Sequence, residues 1–493
     1  MRDLKERAIR GGVAKLGAQA ANFVVRLASL MLIARLLTPE DFGLVGMVTA
    51  FTGVLNVFKD FGLSTAAIQR QSLTRAQSST LFWLNVAVGL ALACVVALSA
   101  PVIASFYREP RLIPVSLAIA TAFVFNAAGV QHGVLLQREM RFTTLAAIST
   151  ASLVASTAIA ITGAAAGFGY WALVAMAVTG PLVYTIGCWL AASWTPGMPQ
   201  RRVGMRAFAS FGRTHALNGI VYYLASNFDK ILLGRYLGVD ALGIYGRAYQ
   251  LINIPTENLN SAAGEVAFST LSRLREDSNR LRGYFLKGYS LILTLTLPVT
   301  LICAVFAEDV VAVILGAKWE AVTPIFRLLA PTILAFAMVH PLGWLLMSLG
   351  FVRRSLNMSL TIAPLTIAAC LVGVSYGSWG VALGYSTVMT LWIVPAIAWA
   401  VRDTPISLRD VLGAASRPLA ASVAAAGIAW GARAAYLYSV PLLPRLVVES
   451  AIVVVTVAVI VLHDADEKTM YADLFRQLTK SSSQGERSPA SPA

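Results

Sequence analysis

The sequence predicts an all-α polytopic membrane protein of about fourteen transmembrane helices. Three observations predict it. Charged residues make up 13% of the 493-residue chain and hydrophobic residues 57%, where soluble proteins carry roughly 25% charged. Mean hydropathy is +0.70. Apolar runs of about 20 residues recur along the chain, the length of a membrane helix and twice that of a barrel strand. The third observation is where the charge lies. The net charge of +15 sits mostly in short loops between apolar runs, the distribution of a membrane protein and not of a nucleic-acid binder.

In order, the predicted spans cover 12–36, 41–65, 80–105, 113–136, 145–167 and 170–193, then 208–236, 242–266, 285–306, 323–349, 356–376 and 378–400, and a last pair at 411–435 and 443–462. The first follows Arg2, Lys5, Arg7 and Arg10, as a signal peptide would. Its length of about 25 residues and the lack of a small-residue cleavage site predict an uncleaved span. Starting from that N-terminal tail, every second loop is basic: Arg70/Arg75, Arg138/Arg141, the 201–213 segment, the 273–287 segment, Arg353/Arg354, Arg402/Arg409 and the C-terminal tail. The intervening loops are poor in base. The positive-inside rule then puts both termini in the cytoplasm. The tail beyond 481 is polar and predicts disorder. Cys94, Cys188, Cys303 and Cys370 each sit alone in an apolar run, which predicts small packing residues and no disulfide or metal framework.

An internal repeat organises the chain. Residues 32–46 read LIARLLTPEDFGLVG and residues 232–246 read LLGRYLGVDALGIYG. At an offset of 200, Leu32/Leu232, Arg35/Arg235, Leu37/Leu237, Gly43/Gly243 and Gly46/Gly246 coincide. Both copies fall at a base-poor helix–loop–helix corner. The offset spans an even number of helices, so the halves share one orientation and are related by an axis near the membrane normal. The predicted division is an N-terminal lobe (1–193), a C-terminal lobe with its basic linker (194–400), a final helix pair (401–462) and a cytoplasmic tail (463–493).

Intramembrane polar residues gather on the first, second, seventh and eighth helices. Arg26 is central. It lies roughly 21 Å from Gly12 and roughly 13 Å from Arg35 along a helix, an awkward reach to either interface. A charge at that depth costs about 2.5–3.5 kcal/mol and faces a cavity or a partner. Asn22 and Ser29 share its predicted face at helical spacing. The second helix adds Thr49, Thr52, Asn56, Lys59 and Asp60, the seventh His215, Asp229 and Lys230, the eighth Arg247 and Glu257. The candidate cavity set is therefore Arg26, Asn22, Lys59, Asp60, His215, Asp229, Lys230, Arg247 and Glu257. Bland readings stand beside it. Lys59–Asp60 and Asp229–Lys230 also read as structural ion pairs near a membrane face, His215 as a packing hydrogen-bonder, and Arg35 and Arg235 as snorkelling helix ends. There is no catalytic, metal or cofactor constellation: no HExxH or Walker loop.

Six segments carry a family resemblance: ARLLTPEDFGLVGM (34–47), DFGLSTAAIQR (60–70), TLFWLNVAVG (80–89), LLQREMRF (135–142), GRYLGVDALGIYGRAYQL (234–251) and ILGAKWEAVTPIFRLLAP (314–331). In this order they resemble the Wzx-type flippases of the multidrug/oligosaccharidyl-lipid/polysaccharide exporter superfamily, in particular the colanic-acid and exopolysaccharide group. The resemblance implies two six-helix lobes around a cavity open to one side at a time. It implies an undecaprenyl-diphosphate-linked oligosaccharide as cargo, contact with membrane lipid, and a polymerase and chain-length regulator as partners, with no nucleic acid. It also implies cationic cavity residues on the first helix, where Arg26 is the fitting position. The competing readings are a multidrug/cation antiporter of the same superfamily, for which acidic and aromatic cavity residues are expected, and a membrane glycosyltransferase or polymer ligase, which generally needs a sizeable outer loop or an acidic catalytic motif.

Overall fold

The computed structural model describes residues 23–56, 74–199, 206–437 and 439–463; within them it does not describe the side chains of 206–222, 224–226, 255–263, 265, 266, 269, 437 and 462. Every described element is helical. The chain runs α1 (23–36), α2 (Pro39–Asn56), α3 (Arg75–Tyr107), α4 (Leu112–Arg138), α5 (Phe142–Ala165) and α6 (Tyr170–Ala191). A 68-residue stretch, Arg206–Arg273, follows and breaks at Gly238 (φ 87°, ψ −171°), giving α7 (206–237) and α8 (239–273). Then come α9 (Ser278–Val305), the short α10 (Ala307–Ile314), α11 (Val322–Leu349), α12 (Val352–Gly373), α13 (Gly377–Val401), α14 (Leu408–Ala432) and α15 (Leu442–Leu462). Among the described residues, nine segments are long and apolar enough to cross a membrane. The protein is an all-helical, multi-pass membrane protein.

Local chemistry sets the helix ends. Thr38 caps α2: its hydroxyl and backbone N–H both donate to Asp41 Oδ2 (2.8 and 2.9 Å), and Asp41 N–H donates back to Thr38 Oγ1 (3.4 Å). Pro39 takes the first helical position, where its missing N–H costs nothing. Thr74 and Gln77 form a reciprocal capping box at the start of α3, and Asp277 caps α9 through Arg280 N–H (3.0 Å). Prolines 101, 181, 298, 341, 364, 395 and 418 lie inside helices. Membrane helices tolerate such residues because neighbouring helices and local turns take up the freed carbonyls.

Packing between the helices uses small residues where backbones come close. Gly89 of α3 lies against Ala127 and the Phe123 carbonyl of α4. Gly187 of α6 lies against Ile148 of α5. At the basic-loop end of these helices an aromatic cluster closes the packing: His132 stacks on Trp189 with 4.3 Å between centroids, and Phe82 meets both rings edge-on. The segment after α6 is pinned there, with Gly197 N–H donating to Ser79 Oγ (3.0 Å) and Trp83 Nε1 donating to the Gly197 carbonyl (2.9 Å). Cys188, Cys303 and Cys370 are buried and Cys94 is exposed.

By packing, the chain divides into two compact units. One takes the chain to Gly246 together with 314–318; the other takes 247–313 and the chain from Trp319 onward. The division falls inside α8, so α7 and the first two turns of α8 pack with α1–α6. In the second unit an apolar core of Leu281, Phe285, Leu293, Leu342, Leu345 and Ile397 joins α9, α11 and α13. A smaller core joins α14 and α15 through Ala421, Ala425, Ala429, Val453 and Val457, set against Phe306.

Two differences from the sequence reading have simple causes. The corner between α7 and α8 is a single kinked residue and not a loop, because Gly238 reaches a positive φ without a Cβ clash. The polar stretch before α11 contains α10 and a 3-10 turn at Ala317–Trp319. Neither has the length that a periodicity argument needs.

Candidate functional site

Arg26 is on α1 with its side chain exposed, and it meets no carboxylate among the described residues. Ser29, one turn on, is turned the other way. It is buried, and Thr157 of α5 donates to its hydroxyl at 3.3 Å. The polar stripe expected on α1 is therefore split: Ser29 holds α1 to α5, and Arg26 keeps the open face.

The two copies of the repeat touch each other. A Cβ added to Gly43 would run into the carbonyl of Val239, and a Cβ added to Gly243 would run into the carbonyl of Pro39. Val239 is Pro39 moved by 200 positions, and Gly243 is Gly43 moved by 200. The contact is thus reciprocal, as in an isologous interface between two equal subunits. The start of α2 and the start of α8 cross backbone to backbone, which only glycine permits. One turn along, Gly46 faces the Leu242 side chain at 3.5 Å from its notional Cβ. Lower on α2, Gly53 admits the Tyr223 ring of α7, and the Tyr223 hydroxyl lies 3.2 Å from the Thr49 carbonyl and 3.3 Å from that of Ala50.

Asp229 is buried. It accepts hydrogen bonds from the Tyr245 hydroxyl (2.7 Å) and from Lys230 N–H (2.8 Å). This ties α7 to α8 just below their kink. Lys230 Nζ donates to Asn227 Oδ1 at 2.7 Å. Arg247 is half-buried on α8. Asn22, Lys59 and Asp60 lie outside the described residues, and so do the side chains of His215 and Glu257. Arg35 and Arg235 differ in company: the Arg235 guanidinium lies 5.7 Å from the rings of Phe106 and Tyr236, within cation–π reach, whereas the Arg35 carbonyl is approached by Lys318 Nζ at 3.4 Å.

One charged cluster was not singled out from sequence. Asp309 of α10 is paired with Arg445 of α15 and with Arg433 at the end of α14, and Glu449 of α15 is buried beside them. The available signal was Glu449 itself, a carboxylate within an apolar 20-residue run.

A family model described as "Polysaccharide biosynthesis protein" matches residues 32–324, more than half of the chain. The chain belongs to that family. It is a Wzx-like member of the multidrug/oligosaccharidyl-lipid/polysaccharide exporter superfamily, a family of transporters and not of enzymes. This Wzx-like chain is 27% identical over 397 residues to the "Lipopolysaccharide biosynthesis protein WzxC" of Escherichia coli K12, covering 79% of this chain and 80% of that protein. It is 30% identical over 340 residues to the "Teichuronic acid biosynthesis protein TuaB" of Bacillus subtilis 168, covering 66% and 68%. Its fold matches that of the "Lipid II flippase MurJ, inward closed conformation" with a TM-score of 0.74 at 11% identity, over 95% of this chain and all of that one. A "multidrug resistance MATE family transporter" in an inward-facing conformation matches at 0.62 and 15% identity, over 79% and 97%.

Proposed function

We propose that this flippase moves undecaprenyl-diphosphate-linked oligosaccharide repeat units across the bacterial inner membrane by alternating access, supplying an exopolysaccharide, capsule or lipopolysaccharide polymerase. Its fourteen helices form two six-helix lobes (1–193 and 194–400) in parallel pseudo-symmetry, followed by a helix pair (401–462) and a cytoplasmic tail (463–493), with both termini in the cytoplasm. The observation that carries the reading is Arg26: an exposed guanidinium on α1 with no carboxylate partner among the described residues. A diphosphate needs cations where water is scarce, and a guanidinium offers a planar fork of donors that stays charged there. The family's printed description and the lipopolysaccharide and teichuronic acid relatives support the cargo class. The reciprocal contact of Gly43 and Gly243 supports the parallel repeat. Asn22, Lys59, Asp60, His215, Asp229, Lys230, Arg247 and Glu257 complete the proposed cavity set. Asp229 acts in it through Tyr245 rather than at an open face.

Deletion of the gene in its own bacterium tests the class. The expected result is loss of one polymer, with lipid-linked repeat units accumulating on the cytoplasmic leaflet. Normal polymer, or repeat units reaching the outer leaflet at the parental rate, would sink the proposal.

A further inference from the structure

At the end of α14, four charged side chains sit together with unequal shares of hydrogen bonds. Arg445 grips Asp309 with both arms of its fork, Nη2 to Oδ1 at 2.6 Å and Nε to Oδ2 at 3.1 Å. Arg433 Nη1 adds a third contact to Asp309 Oδ2 at 2.9 Å. Asp309 is therefore saturated. Glu449 is 0% exposed, and neither of its carboxyl oxygens has a hydrogen-bond partner among the described residues. The cation beside it is Arg433, whose Nε lies 3.8 Å away, beyond hydrogen-bond range.

A bare carboxylate in that position is costly, since burial removes water and nothing replaces it. It is relieved either by a proton or by drawing Arg433 across from Asp309. We propose that Glu449 is a proton-binding site that competes with Asp309 for the Arg433 guanidinium. With Arg433 on Asp309, Glu449 carries the proton. When Arg433 moves to Glu449, the proton leaves, and Asp309 keeps its two-armed contact with Arg445.

The surroundings suit this exchange. The charged groups that face Glu449 are Arg433 from the end of α14, Asp309 from α10 and Arg445 from its own helix, while the end of α9 presents apolar Ile302, Val305 and Phe306. With Glu449 protonated the cluster holds one surplus positive charge. The carboxyl end of α14, where Arg433 sits, stabilises that charge, and so does the Phe306 ring 5.7 Å from its guanidinium. Arg433 and Arg445 keep 17% and 15% of their side chains exposed, so the cluster beside Glu449 is not fully enclosed. Arg433 is also the first residue of a π-turn, Arg433–Leu437, a local geometry frequent at functional positions. Proton binding is thereby linked to the position of the end of α14. The inference goes beyond transport of the cargo and needs no knowledge of it.

The test uses the full chain in lipid nanodiscs and infrared difference spectra between acidic and alkaline buffer. The parent is expected to show a protonated-carboxyl carbonyl band that disappears on the alkaline side and is missing in Glu449→Gln. Arg433→Gln removes the competitor and leaves Asp309 with Arg445, so the same band should persist to more alkaline buffer. A parental spectrum that matches Glu449→Gln would overturn the proposal. So would a band whose titration is unmoved by Arg433→Gln, an arm that holds even if the Glu449→Gln protein is poorly folded.

Discussion

A guanidinium in the middle of an apolar helix is satisfied by a carboxylate, by water in a cavity, or by a ligand. Arg26 has an exposed side chain and no carboxylate partner among the described residues, and in the proposed cavity it takes the third. A charge-assisted hydrogen-bond pair to a phosphate is worth about 1.5–3 kcal/mol, roughly a tenfold to hundredfold effect. Arg26→Ala is expected to reduce export by at least that factor at normal protein level and normal melting temperature in detergent. Arg26→Lys should keep part of the activity, since an ammonium is a point charge without the fork, and Arg26→Glu should have none. Full export by a stable Arg26→Ala protein would end the cargo-contact reading. The reading of Arg26 rests on depth counted along the sequence, since a charge at such depth is costly. The Asp309–Arg445 pair was not, because its partners lie 136 positions apart and each, taken singly, reads as a helix-end charge. Ser29 was legible as polar but not in direction: the hydroxyl that spacing put beside Arg26 is used against Thr157.

At the scale of elements, the repeat hairpins carry the sharper test. Gly43 and Gly243 each face a backbone carbonyl that cannot move aside as a side-chain end would. An added methyl at either position is overpacking, which costs about 1–3 kcal/mol. Cysteines in place of Gly46 and Leu242, in a protein lacking Cys94, Cys188, Cys303 and Cys370, are expected to cross-link where α2 and α8 cross. Adding Gly43→Ala or Gly243→Ala should lower the cross-linking yield by a similar amount for each, as the reciprocity requires. Equal yields with and without the alanines would mean that the glycines are not what brings the helices together. The match between the two segments was legible, as five identities at a fixed offset. Which residue of one copy meets which of the other was not, because a sequence match gives equivalence and says nothing of contact.

At the scale of the molecule, helix positions among the described residues were legible almost throughout, since hydropathy and Gly/Pro/aromatic corners mark them. The packing division inside α8 was not, because nothing in the composition changes between Gly246 and Arg247. Orientation in the membrane rests on the alternation of basic loops, which is a prediction of its own. A cysteine at 318 should react with a membrane-impermeant reagent from the periplasm and a cysteine at 280 should not. The reverse pattern would invert the whole arrangement.

The two corners that meet at the glycines are built differently. The first is braced by three hydrogen bonds between Thr38 and Asp41. At the equivalent position the second has Gly238, held at a positive φ that a residue with a Cβ resists. Equal contacts therefore rest on unequal springs. Any load that pulls the two apart is taken up first at 238, and of two corners with matching sequence one yields before the other.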